Sequence, residues 1–422
     1  MKRYEQEAVI IGIHLQNQPD FAAAMEELGS LAAACGIEVV GELSQKAARP
    51  SPSHYMGKGK LEELSALLAG HENAIVICND ELSPSQIRNL EAALSRRVLD
   101  RTMLILDIFA KRAKTREAQL QVEIAHLQYM LPRLSGMRES LGRQGGGSGL
   151  KNRGSGETKL ELDRRSIEDR ITALQLELAK LVARRKTQRK KRQKNELPVV
   201  CLVGYTNTGK SSLMNALLER YNPQSDKLVL AQNMLFATLE TSVRRIELPD
   251  HRAFLLTDTV GFVSRLPHHL VKAFRSTLEE VAEADLLIHV ADYANPSYPE
   301  QIAVTEDTLK ALGADQIPVI YAYNKTDLTI GGTPYPDQKD AVYLSVKQKS
   351  GIDELIALIR GHVLTDYIQC EVLIPFDQGQ VVSYFNEHAW VQSTSYEEEG
   401  TRLKLECTTA DFEKYGSPFL SR

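Results

Sequence analysis

The 422-residue sequence predicts an α/β protein of mostly parallel sheets, interrupted by a long antiparallel helical hairpin. Three observations carry that reading. Residues 1–110 alternate strand and helix patterns. Two apolar ladders with 4-3-4-3 spacing lie within residues 115–195. A buried strand at Leu197–Val203 runs through a glycine-containing loop into a helix at Ser212-Leu213-Met214.

In the first region, residues 1–114, Ala8–Leu15 is β-rich. Asp20–Cys35 has Phe21, Met25, Leu28 and Leu31 at helical spacing. Ile37–Leu43 reads as a strand, Leu61–Leu68 as a helix and Ala74–Cys78 as a buried strand. Ser83 caps a helix whose first position is Pro84. Gly57-Lys58-Gly59-Lys60 lacks the loop length of a phosphate-binding motif and reads as a helix N-terminus.

Residues 115–195 change character. Leu120, Ile124, Leu127, Leu131 and Leu134 form one seam; Ile167, Ile171, Leu174, Leu178 and Leu181 form the other. Between them, residues 142–156 hold seven glycines, three basic residues and no acid. Pro132 is expected to kink the first helix, and Thr158-Lys159-Leu160-Glu161 has the form of a capping box opening the second. Residues 111–194 carry 22 Lys and Arg against 9 Asp and Glu, while the chain as a whole has a net charge of −4. A basic segment on an otherwise acidic protein suits a polyanion. Tyr129 is its only aromatic, so Arg143, Lys151 and Arg153 in the tip suit RNA phosphate and shape rather than base stacking.

Residues 196–365 return to α/β, and residues 366–422 read as a small α+β domain: strand Ile368–Ile374, helix Gln378–His388, strands Trp390–Tyr396 and Arg402–Thr408. Four motifs in the larger domain carry chemistry. Gly204-Tyr205-Thr206-Asn207-Thr208-Gly209-Lys210-Ser211 matches G-x-x-x-x-G-K-[ST] between strand and helix. Its backbone N–H groups can face phosphates, Lys210 can reach the β and γ groups, and the Ser211 hydroxyl can hold Mg²⁺. Asp258-Thr259-Val260-Gly261 follows the strand Ala253–Thr257; Asp258 can orient Mg²⁺ and the Gly261 N–H can meet the γ phosphate. Asn324-Lys325-Thr326-Asp327 follows the strand Ile317–Tyr323. Asp327 can accept from guanine N1–H and its 2-amino group, where adenine would leave a carboxylate unpaired. Asn324 can bond N7, and the Lys325 stem can cover the base. Ser345-Val346-Lys347 fits the loop closing over guanine, with the Val346 N–H facing its oxygen. Leu235-Phe236-Ala237-Thr238-Leu239-Glu240 lies between the first two motifs, and Thr238 rather than Thr241 is the preferred magnesium-sensing threonine. Together they predict a site that binds GTP and GDP and hydrolyses GTP with Mg²⁺, using Lys210, Thr238 and Gly261.

The whole chain resembles the HflX family of translational GTPases, in the Obg-like branch. The resemblance rests on these motifs, including Phe236-Ala237-Thr238-Leu239 and Asp258-Thr259-Val260-Gly261-Phe262. It rests more specifically on Gly154-Ser155-Gly156-Glu157-Thr158-Lys159-Leu160-Glu161-Leu162-Asp163-Arg164-Arg165, Asp100-Arg101-Thr102 and Leu106-Asp107-Ile108-Phe109. The resemblance implies a P-loop GTPase domain that binds the large ribosomal subunit and splits or rescues ribosomes, with residues 111–194 entering the rRNA. It also implies K⁺ at Asn207 as an alternative to simple loop hydrogen bonding. Phe262 stands where Ras-like enzymes carry the water-orienting glutamine, which implies slow unaided hydrolysis or a merely hydrophobic anchor. His268 and His269 read as solvated switch residues. The rival readings are a GTPase of RNA or tRNA modification and a scaffold without turnover.

Composition narrows the class. Hydrophobic residues make up 43% and charged residues 25%, and no apolar run reaches membrane-spanning length. Cys35, Cys78, Cys201, Cys370 and Cys407 are odd in number and scattered, which argues against a disulfide framework or zinc site. The expectation is a cytoplasmic monomer, with peripheral membrane association as the other location.

Overall fold

The computed structural model describes residues 6–16, 20–134, 153–193, 197–222, 235–236, 241–264, 280–329 and 339–420. They fall into two compact units, Met1–Lys191 with Gln232–Glu240 and Val260–Thr277, and Arg192–Ala231 with Thr241–Thr259 and Leu278–Arg422.

The first unit is built on a four-stranded sheet of β1 (Gln6–His14), β2 (Ile37–Lys46), β3 (Ile75–Cys78) and β4 (Val98–Asp100), in the order β2-β1-β3-β4 and all parallel. Burial of both faces explains the near-continuous apolar runs of β1 and β3. The crossovers are α1 (Phe21–Ala34), α2 (Lys58–Leu68) and α3 (Pro84–Leu94). Gly57 is the N-cap of α2, and Ser83 closes the expected cap on α3 reciprocally with Gln86. β4 runs straight into α4 (Arg101–Arg112), capped by the buried Asp100, and α5 (Arg116–Met130) follows.

The helical hairpin departs from expectation in its second helix. At Pro132 the α-helix α5 gives way to a 3₁₀ turn, Leu131–Arg133, and Leu134 is again helical, because proline supplies no backbone donor to the helical ladder. The second helix, α6 (Arg153–Gln193), begins five residues before Thr158, so Thr158 and Glu161 lie within it rather than at its cap. Eight of the ten expected seam residues come together: Leu120 and Ile124 pack with Ile171 and Leu174, flanked by Leu127, Ile167, Leu178 and Leu181, while Leu131, in the 3₁₀ turn, and Leu134 stand outside this cluster. Burying such side chains stabilises the pair by about 1.5–3 kcal/mol each.

The second unit holds a six-stranded sheet, order β10-β9-β8-β5-β7-β6. Its strands are β5 (Val199–Val203), β6 (Ser242–Glu247), β7 (Ala253–Asp258), β8 (Leu286–Asp292), β9 (Val319–Asn324) and β10 (Ala341–Tyr343). Only β6 runs antiparallel to its neighbour. Helices α7 (Lys210–Tyr221) and α9 (Ile352–Val363) bury Leu213, Leu217, Leu355 and Ile359 against Val200, Leu202, Ile288 and Ile320, while α8 (Tyr298–Ala311) links β8 to β9. The last segment forms the expected α+β domain: an antiparallel sheet β11-β13-β12 (Tyr367–Ile374, Gly400–Thr408, Trp390–Glu397) with α10 (Gly379–His388) burying Phe385. Among the described residues, no helix is long and apolar enough to cross a membrane.

Candidate active site

β5 is central in its sheet, between β8 and β7, and the loop leaving its carboxyl end lies where open α/β sheets bind ligands. Gly204 has φ +139°, and a Cβ there would stand 2.3 Å from the Val290 carbonyl oxygen. Gly209 has φ +101°, and a Cβ there would stand 2.3 Å from Asn324 Nδ2. Only glycine fits either position. The loop then delivers its backbone to the N-terminus of α7, whose dipole favours an anion.

Lys210 opens that helix, and its side chain is buried. Its Nζ donates to the carbonyls of Gly204 (3.0 Å) and Tyr205 (2.6 Å). Burial draws its pKa down to about 8, with Asp258 acting in the opposite direction. A polyphosphate beside it would favour the charged form. Thr208 Oγ1 donates to the Tyr205 carbonyl, while the buried Thr206 hydroxyl has no hydrogen-bond partner among the described residues. Ser211 Oγ donates to Asp258 Oδ2 at 2.6 Å, so these two candidate metal ligands already meet. Thr259 Oγ1 donates to the Leu202 carbonyl and ties the end of β7 to β5. Hard oxygen donors side by side, beside a glycine cradle with a buried hydroxyl, fit Mg²⁺ with a phosphate chain.

The base-side motifs converge on the same loop. Asn324 ends β9; its Nδ2 donates to the Thr208 carbonyl (2.8 Å), and its Oδ1 accepts from the Val346 N–H (3.2 Å). The Val346 amide expected at the guanine oxygen is therefore engaged by Asn324, which bridges the phosphate loop and the closing loop. Lys325 adopts φ +66° and its Nζ pairs with Asp292 Oδ2 at 2.6 Å. Ser345 Oγ donates to Asp327 Oδ1 at 2.7 Å and accepts from the Gln348 N–H. This holds the Asp327 carboxylate before any base arrives.

Other expected residues divide. Phe236 and Phe262 are buried, and that burial fits the anchor reading of Phe262. Asn207 is exposed with φ +62°. Thr238, with Ala237, Leu239 and Glu240, lies outside the described residues, as do Arg143, Lys151, His268 and His269; Arg153 is described only in its helical backbone. His289 on β8 was missed by the sequence reading. It is buried beside Tyr321, and burial, then the charge of Lys210, draws its pKa down to about 4. Nothing in Leu286-Leu287-Ile288-His289-Val290 separates a core histidine from a catalytic one.

Three family descriptions match successive parts of the chain. They are "GTP-binding GTPase N-terminal" over residues 22–110, "GTP-binding GTPase Middle Region" over 112–192 and "50S ribosome-binding GTPase" over 199–325. A protein of Caldanaerobacter subterraneus subsp. tengcongensis named GTPase HflX is 45% identical, across 97% of this chain and 92% of its own. The chain belongs to the HflX family of GTPases. Further HflX relatives are those of Lacrimispora saccharolytica (40% identical, 95% of this chain and 93% of the relative) and Escherichia coli (36%, 94% and 93%). As an HflX protein it has a P-loop GTPase domain and binds and hydrolyses GTP, and the family generally uses Mg²⁺.

Proposed function

We propose that this HflX protein couples GTP hydrolysis to binding of the large ribosomal subunit, and that it dissociates or rescues ribosomes with its basic hairpin against rRNA. The observation that carries this reading is the hairpin. Its periodic apolar residues pack into the seam between α5 and α6, while Arg164, Arg165 and Arg170 on the outer side of α6 stay exposed, together with Leu162 and Leu176. α6 has 41 residues, about 60 Å of helix at 1.5 Å per residue, and so has the reach of a probe. The description of the GTPase segment as ribosome-binding supports the same partner.

At the site, Ser211, Asp258 and Thr238 would hold Mg²⁺, which supplies charge neutralisation during phosphoryl transfer. Lys210 leaves its loop carbonyls for the β and γ phosphate oxygens. The Gly261 amide meets the γ phosphate. Asp327, held by Ser345, accepts from the guanine edge, and the Lys325 stem covers the ring. Phe262 has no hydrogen-bonding group to orient the attacking water, so unaided turnover is slow and the ribosome accelerates it. K⁺ at the exposed Asn207 would add positive charge beside the phosphates.

Sucrose-gradient sedimentation tests the reading. With a non-hydrolysable GTP analogue the protein should travel with large subunits and deplete intact ribosomes; with GDP it should not. Co-sedimentation with tRNA or a modifying enzyme instead would favour the RNA-modification alternative. Absence of phosphate release with saturating ribosomes would favour a scaffold.

A further inference from the structure

Arg101 is buried and belongs to none of the nucleotide motifs. It opens α4 immediately after the cap residue Asp100. One guanidinium nitrogen, Nη1, donates to Asn79 Oδ1 at 3.1 Å. The other, Nη2, pairs with Glu27 of α1 and donates to both the backbone carbonyl and the hydroxyl of Ser264, each at 3.1 Å. Ser264 Oγ in turn donates to Glu27 Oε2 at 2.5 Å. The Arg101 and Glu27 side chains are 3% and 11% exposed, so this triad is almost dry.

A second contact is independent of the first. Phe236 is buried at φ +52° and meets the ring of Phe109 on α4 edge-on, with centroids 4.6 Å apart. The two segments that flank the γ-phosphate groups are thus both gathered into the compact unit of the β1–β4 sheet. Phe236 is two residues before Thr238, and Ser264 is three after Gly261.

A buried guanidinium is tolerable only while its acceptors are in place. Moving Ser264 would remove two of them at once and leave Arg101 with Glu27 and Asn79. The position of Ser264 is therefore strongly biased by the α1 and α4 helices, and three residues of chain carry that bias to the Gly261 amide.

We infer that Arg101 and Glu27 are positioning residues that couple the nucleotide state of the GTPase site to the β1–β4 domain by clamping Ser264. This rests on the proposed contact of Gly261 with the γ phosphate. By linkage, a group that holds the γ-phosphate segment must change the relative affinity for triphosphate and diphosphate. It has no reason to change the choice between guanine and adenine, which belongs to Asp327.

The test is the ratio of affinities for a non-hydrolysable GTP analogue and GDP, measured by fluorescent-nucleotide titration on the full chain. Ser264→Ala and Arg101→Lys should each shift that ratio at least about fivefold, within the usual range of coupling. Ser264→Thr keeps the hydroxyl and should return it toward the wild-type value. GTP-over-ATP preference should stay constant throughout. An unchanged ratio in Ser264→Ala, with melting temperature preserved, overturns the clamp. So does a loss of affinity that is equal for both nucleotides. If the wild-type protein itself shows no guanine preference, it is the GTPase site reading that has failed, which the adenine control separates from failure of the clamp.

Discussion

The four-stranded parallel sheet and the mostly parallel six-stranded sheet of this protein are built alike and used differently. β1 and β5 are each an apolar inner strand between parallel neighbours, and each is followed by a helix. After β5 the chain makes a loop with two glycines at positive φ and begins α7 on a lysine. Between β1 and α1 the sequence of residues 15–20 contains no glycine and no lysine. Gly12 lies within β1, where a Cβ would stand 2.6 Å from Met25 Sδ, so this glycine admits a core side chain rather than a phosphate. The same architecture thus supports packing in one place and chemistry in the other, and the difference is a few residues of loop.

The sharpest break of that contrast is Lys210→Ala, which should lower GTP hydrolysis by about a thousandfold or more while the protein stays folded, measured as phosphate release. Asp327→Asn comes next. It should erode guanine-over-adenine selectivity by roughly a hundredfold, because the substituted side chain no longer offers two acceptors to the guanine edge; competition between GTP and ATP for a fluorescent nucleotide reads this. In the first sheet, Gly12→Ala should act on stability alone, costing about 1–3 kcal/mol by overpacking against Met25. Urea unfolding with parallel nucleotide titration separates that from any effect on affinity.

A pH experiment addresses the buried histidine of β8. The pKa of His289 falls from an ordinary 6.5 to about 4 on folding, so the unfolded chain binds its proton first as pH drops. Its neutral form is compatible with the fold above pH 6.5. Stability should then decline between about pH 6.5 and 4 by roughly 3 kcal/mol. His289→Gln should flatten that part of the curve in chemical denaturation. The smallest effect is expected at the hairpin surface. Arg116 pairs with Glu177 on solvent-exposed flanks, and Arg116→Ala should leave the melting temperature unchanged, unlike truncation of the seam residue Leu174.

The motifs of the candidate site were readable in the sequence. The glycine spacing around Lys210, the acid ending β7 and the Asn324-to-Asp327 run are contiguous, and each motif carries its own chemical logic. Three of the four first-domain strands and most of the hairpin seam were readable too, since their apolar periods are local; the three-residue β4 is too short to show one. Helix boundaries were less so. Thr158 and Glu161 have capping chemistry, but α6 begins at Arg153, and a cap-competent threonine is equally compatible with a helix interior.

What the sequence alone determined was the menu of elements and the chemistry of each loop, because propensity, period and motif act over a few neighbouring residues. Tertiary structure decided which distant groups complete one another. Asn324 reaches the Thr208 carbonyl across 116 residues, and Arg101 reaches Ser264 across 163. Such hydrogen bonds exist only once strand order and helix packing have brought their partners together and excluded water, and no local pattern encodes that closure.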